Sequence, residues 1–133
     1  MYENPEKSVE PANCDACWAA LEDRFRPHLD WSGYDEVKKT GWQRKDHIHG
    51  TPFYYIEYGL AQLGAVQIWR NAMHDHKSAV LDYRSSLQLG CTVPLPDLFK
   101  VAGATLGFDS ATLSPLVELM EQKMIELDEL VNQ

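Results

Sequence analysis

Pro52-Phe-Tyr-Tyr-Ile-Glu-Tyr-Gly-Leu-Ala-Gln-Leu-Gly-Ala-Val-Gln-Ile-Trp-Arg-Asn71 decides the fold. Its apolar residues fall all round a 3.6-residue period rather than on one stripe, the mark of a central, buried helix, here predicted over about 52–73. Pro52 suits the first turn, where its missing N–H would have no intrahelical partner. Gly59 and Gly64 each cost a helix roughly 1 kcal/mol relative to Ala. Something must favour them, either close approach of another helix, the simpler reading, or close approach of a ligand.

Outward from this helix the pattern stays helical, with no run of strict alternation to argue for a strand. A first helix is expected from Pro11–Asn13 to about Arg26, with Cys17, Ala20, Leu21 and Phe25 as its buried stripe and Pro27 closing it. Ser32 is the expected N-cap of a second helix over 33–45, with Trp31, Val37 and Trp42 carrying its packing. Downstream, a helix over 76–89 presents Val80, Tyr83 and Leu87 on one face and ends at Gly90, and a short one over 96–102 ends at Gly103. Asp109 or Ser110 opens the last helix. There Leu113, Val117, Met120, Met124, Leu127 and Val131 recur at heptad-like spacing, either packing on the body of the domain, the preferred reading, or pairing with a second chain. The expectation is an all-α bundle of about five to six helices around the central one, residues 1–133 forming a single domain.

The 133 residues are 44% hydrophobic and 24% charged, ordinary globular composition. Twelve Lys and Arg against twenty Asp and Glu give a formal charge of −8, which argues against nucleic acid as a partner. No apolar run approaches the ~20 residues of a membrane span, and the N-terminus lacks an apolar signal core, so a cytoplasmic protein is expected. Three cysteines are too few for a disulfide scaffold.

Cysteine and histidine occur in close pairs: Cys14 with Cys17, His47 with His49, His74 with His76. One C-x-x-C without a second pair is a weak zinc signal, and two His at i and i+2 on a helix diverge by about 200°. Inert helix starts and a polar interhelical turn are the preferred readings. Tyr54, Tyr55 and Tyr58 differ in kind. On a helix Tyr55, Tyr58 and Gln62 fall at i, i+3 and i+7, so two phenols and an amide share one face, just after His47 and His49. Phenol O–H and imidazole N–H groups aimed at one point suit the oxyanion formed by attack on a carbonyl. Taken alone, half-buried tyrosines with satisfied hydroxyls are the preferred reading.

The segment His47-Ile-His-Gly-Thr-Pro-Phe-Tyr-Tyr-Ile-Glu-Tyr-Gly-Leu-Ala-Gln-Leu-Gly-Ala-Val-Gln-Ile-Trp resembles the C-terminal part of the catalytic domain of the oligoendopeptidase F and thimet-oligopeptidase group of zinc metallopeptidases. Arg24-Phe-Arg-Pro-His-Leu-Asp-Trp-Ser-Gly-Tyr and Trp42-Gln-Arg upstream, and Leu89-Gly-Cys-Thr-Val-Pro-Leu-Pro-Asp-Leu-Phe with Ala102-Gly downstream, extend the likeness over roughly residues 14–120. The resemblance implies a mostly helical fold with a deep channel and cleavage of short peptides by one zinc ion. In the family, H-E-x-x-H and a later Glu hold the metal, and the motif Glu acts as general base. Carried across, the family's downstream His matches His47 and its Tyr pair matches Tyr55 and Tyr58, with Tyr58 the oxyanion donor. His49, where the family has an aromatic residue, joins Tyr54 and Gln62 on the substrate-binding side.

H-E-x-x-H occurs nowhere in the sequence. The resemblance therefore implies one wall of an active site whose zinc is bound by residues absent here: no metal ligand is assigned to this chain, no cofactor is expected in it, and it is expected to be inactive alone. A truncated or split peptidase would take a peptide substrate or a metal-bearing partner chain. A non-catalytic helical module that binds a peptide or protein is the alternative, and a small zinc protein using Cys14, Cys17 and nearby His a third. Faces made for absent helices would also favour a homo-oligomer.

Overall fold

The structure, a computed structural model, describes residues 1–132. It is all-α, with no strand among the described residues. Backbone contacts divide it into two compact units, Met1–Tyr55 and Ile56–Gln133.

In the first unit, α1 (Pro5–Ser8) leads into α2 (Pro11–Phe25), followed by α3 (Asp35–Lys39), a 3-10 turn (Gly41–Arg44) and α4 (Asp46–His49). The first long helix thus has its predicted bounds, but a different face is buried. Cys14 and Glu22 are buried and Trp18 between them is half-buried, at i, i+4 and i+8. The predicted stripe of Cys17, Ala20, Leu21 and Phe25 faces solvent, Phe25 at 67% exposure. The reason is that α2 packs through its other side on α1, α3 and the 3-10 turn.

The expected second helix over 33–45 is broken in two. Ser32 is not its cap: its backbone N–H and hydroxyl both donate to the Asp30 carboxylate, at 2.9 and 2.6 Å, closing a local turn. Tyr34 is the N-cap residue and caps with no side chain. The break comes at Gly41, where a Cβ would lie 2.6 Å from Trp18 Nε1, so the backbone approaches α2 more closely than any side chain allows. Trp42 then donates its indole N–H to Asp15 Oδ1 at 2.7 Å, tying the turn to α2.

The second unit is built on α5 (Ile56–His74), with α6 (His76–Leu89), α7 (Leu95–Val101) and α8 (Ser110–Val131). Helix α5 begins four residues later than the predicted Pro52, because Phe53 has φ +65°, left-handed backbone that cannot continue a right-handed helix. Its all-round apolar pattern does not translate into all-round burial: only Gly64 and Gln67 of this helix are buried. At Gly64 a Cβ would meet the Phe99 ring at 3.1 Å, the close helix approach expected there; at Gly59 nothing lies within 4 Å.

Polar side chains hold this unit together. Gln67, 4% exposed, donates from Nε2 to the Thr105 carbonyl at 2.9 Å and accepts the Thr105 N–H on Oε1 at 2.8 Å. Asn71 donates to the Gly103 carbonyl and Ser86 to the Leu98 carbonyl, each at 2.8 Å. Asp75 caps α6 through the Ser78 N–H at 3.0 Å, and Asp109 caps α8 through the Thr112 N–H at 2.9 Å.

Faces again depart from expectation. On α6 the buried residues are Ala79 and Ser86, while Val80, Tyr83 and Leu87 are exposed. On α8 Leu116 is buried at 3%, with Leu119 and Lys123 half-buried along the same line. That line packs on α5, which leaves Val117, Met120, Met124, Leu127 and Val131 of the heptad stripe exposed, Met124 at 68%.

Candidate functional site

The first unit positions four of the six candidate residues within ten positions of sequence. One turn of helix, α4, carries His47 and His49, and a non-helical turn over residues 51–55 brings the chain back. The His47 ring stacks on Tyr54, with centroids 5.5 Å apart and planes at 13°, and meets Tyr55 edge-on at 5.7 Å and 64°. An imidazole held between two phenol rings has few orientations left, so its N–H groups are aimed by packing. The His49 ring lies 5.6 Å from Trp42.

The turn that builds this cluster is strained at Phe53, where a left-handed non-glycine residue costs about 1–2 kcal/mol. Tyr2 offsets that strain. Its ring packs on Phe53 with centroids 4.3 Å apart, and its hydroxyl donates to the Ile48 carbonyl at 2.8 Å. Tyr2, Ile48 and Phe53 also line a cavity of about 720 Å³ in this unit, with Cys14, Trp18 and Trp42.

Tyr58 and Gln62 belong to the second unit, at i and i+4 on α5, so they share a helix face. Tyr55 does not share it by helical periodicity, since it precedes the first residue of α5. The i, i+3, i+7 reasoning therefore holds for Tyr58 and Gln62 alone. Tyr58 is 54% exposed and Gln62 is exposed as well.

Lys45, Trp18 and Tyr2 were not singled out by sequence reasoning for this region. Lys45 Nζ lies 5.9 Å from the ring centres of both Trp18 and Tyr55. Of these, only Lys45 carried a legible signal, as a cation two residues before His47.

Zinc, which the resemblance implies, does not fit the donors of this chain. Among the described residues no three His, Cys, Asp or Glu side chains are grouped to hold a metal ion. Cys14 is buried with its thiol toward the Ser8 carbonyl at 3.7 Å, while Cys17 is exposed. His74 ends α5 and His76 begins α6, with Asp75 between them occupied as a cap. Among the described residues no helix is long and apolar enough to cross a membrane.

The all-α fold with its polar aromatic segment is peptidase-related. Among solved structures the chain is similar to PZ peptidase A, determined with inhibitor 2, at a TM-score of 0.83 and 34% identity over 93% of this chain. It spans 22% of the length of that chain. No family model and no curated sequence matches it.

Proposed function

We propose that these residues form the C-terminal, peptide-cleft subdomain of an oligoendopeptidase F-like zinc metallopeptidase, both compact units belonging to it as one domain. The observation that carries this reading is the match to PZ peptidase A over 93% of the chain. It is supported by the sequence likeness that runs through His47, Tyr55 and Tyr58. In this role each takes the part that the resemblance implies, His47 binding the substrate carbonyl and Tyr58 serving as oxyanion donor, and Tyr55 holds the His47 ring. His49, Tyr54 and Gln62 contact the peptide on either side. Oxyanion donors stabilise charge as it develops, which is worth about 10²–10³ in rate per donor, but they do not create a nucleophile. The metal and the general base come from residues outside this sequence, so the chain alone binds peptide without cutting it.

The test is native mass spectrometry with metal analysis, on the chain alone and mixed with the PZ peptidase A chain from which the matching segment has been removed. The proposal expects a one-to-one complex whose metal arrives with the other chain. Stoichiometric zinc on this chain alone would favour a small zinc protein, and failure to associate would favour a free-standing peptide-binding module.

A further inference from the structure

Among the described residues Lys45 is the one cation lying near the ring centres of two aromatic side chains, and nothing in the proposed chemistry uses it. It is half-buried, and among the described residues its ammonium has no carboxylate within 4 Å. Elsewhere in this unit Arg26 pairs with Glu22, Lys38 with Asp23 and Lys39 with Glu36. Asp15, the acidic side chain of the adjoining α2 surface, accepts the Trp42 indole N–H and adds to the field that raises the Lys39 pKa. Lys45 has instead the faces of Trp18 and Tyr55, each at 5.9 Å. Ring quadrupoles at that distance compensate a partly desolvated ammonium only weakly, by about 0.5–1 kcal/mol each. A carboxylate delivered from outside supplies what is missing, in a charge-assisted hydrogen bond.

We propose that Lys45 is a carboxylate-recognition site for the bound peptide, taking either its C-terminal carboxylate or an acidic side chain. The inference rests on the cleft-wall reading above and deepens it by naming the substrate class. Geometry sets the reach. Tyr55 touches both the Lys45 ammonium and the His47 ring, and the two distances bound the separation of ammonium and imidazole at about 12 Å, three to four extended residues. A carboxylate on Lys45 thus places a peptide carbonyl within that many residues of it at His47. Peptides with a negative charge within about four residues of the contacted bond are the class selected.

The experiment follows the indole N–H signals of Trp18 and Trp42 by NMR while the full chain is titrated with acetyl-Phe-Ala-Ala as free acid, the same peptide as C-terminal amide, and acetyl-Phe-Asp-Ala amide. The free acid is expected to bind at least tenfold more tightly than its amide, and recovery of affinity by the aspartyl amide would show that a side-chain carboxylate serves equally. K45M, which keeps an apolar stem between the rings, should reduce the free acid to the affinity of the amide, while K45R keeps the preference and reports an intact fold. Equal binding of all three peptides to the unmodified chain, or a preference that survives K45M, overturns the carboxylate site and leaves the cleft wall standing. No binding of any peptide overturns both.

Discussion

Tyr58 and Gln67 sit nine residues apart on one helix and illustrate two different uses of a polar side chain. Gln67 is buried and pairs with both backbone groups of Thr105, so Gln67→Leu removes two hydrogen bonds that tie α5 to the segment after α7. Urea denaturation should show a loss of about 0.5–1.5 kcal/mol per hydrogen bond removed. Tyr58 is half in solvent. Tyr58→Phe is expected to lower the hydrolysis rate of a reconstituted peptidase by about 10²–10³, the effect of removing one oxyanion donor. A large loss of stability instead would identify the hydroxyl as a structural hydrogen bond. Glycine gives a paired comparison at the same scale. Gly59→Ala meets open space and should gain up to about 1 kcal/mol from helix propensity, whereas Gly41→Ala drives a methyl into Trp18 and should destabilise.

At the scale of elements, the last helix makes its own pH prediction. The Thr112 backbone N–H holds the Asp109 carboxyl below the usual carboxylate range. A pKa lowered by folding means stability that is present above the unfolded value near 3.8 and lost as pH falls through the lower, folded one. Asp109→Ala should therefore lower Tm at pH 7, and its difference from the unmodified chain should shrink below about pH 4. Helix positions were largely legible in the sequence: Pro11, Gly90 and Asp109 mark their ends by local chemistry that needs no tertiary context. The start of α5 was not, because nothing in Thr51-Pro-Phe-Tyr announces that Phe53 turns left-handed under Tyr2. The faces were not legible either. Reading an apolar stripe as a core face assumes that the chain contains what covers it, and on α2, α6 and α8 the covered lines run through Cys14 and Glu22, Ala79 and Ser86, and Leu116. Of the candidate site, the residue identities in His47–Tyr58 were legible from the resemblance, and the His47–Tyr54 stack was not, since it depends on that same turn.

The molecule as a whole exposes more surface than its size requires. Its accessible area is 10217 Å² for 15.2 kDa. A globular monomer of that mass has about 7,100 Å², and even two independent bodies of half the mass have about 8,600 Å². The surplus of at least about 1,600 Å² is twice what one partner contributes to a standard protein interface. Much of it is apolar, on Leu21 and Phe25 of α2 and on Met124, Leu127 and Val131 of α8. The chain spans 22% of the length of PZ peptidase A, and on the cleft-subdomain proposal this is the surface that the rest of such a peptidase covers. It predicts strong binding of a hydrophobic dye such as ANS by the natively folded chain, with a large decrease when a complementary chain is added; weak dye binding would mean that these faces are already covered by a second copy.

The most direct measurement is hydrolysis of an internally quenched peptide by the chain alone, by the PZ peptidase A chain lacking its matching segment, and by the two together. Activity only in the mixture, abolished by His47→Ala and cut about a hundredfold or more by Tyr58→Phe, is the predicted result. Hydrolysis by the isolated chain, or a tight complex that cuts nothing, would contradict the assignment of this domain as the substrate-side wall of a peptidase.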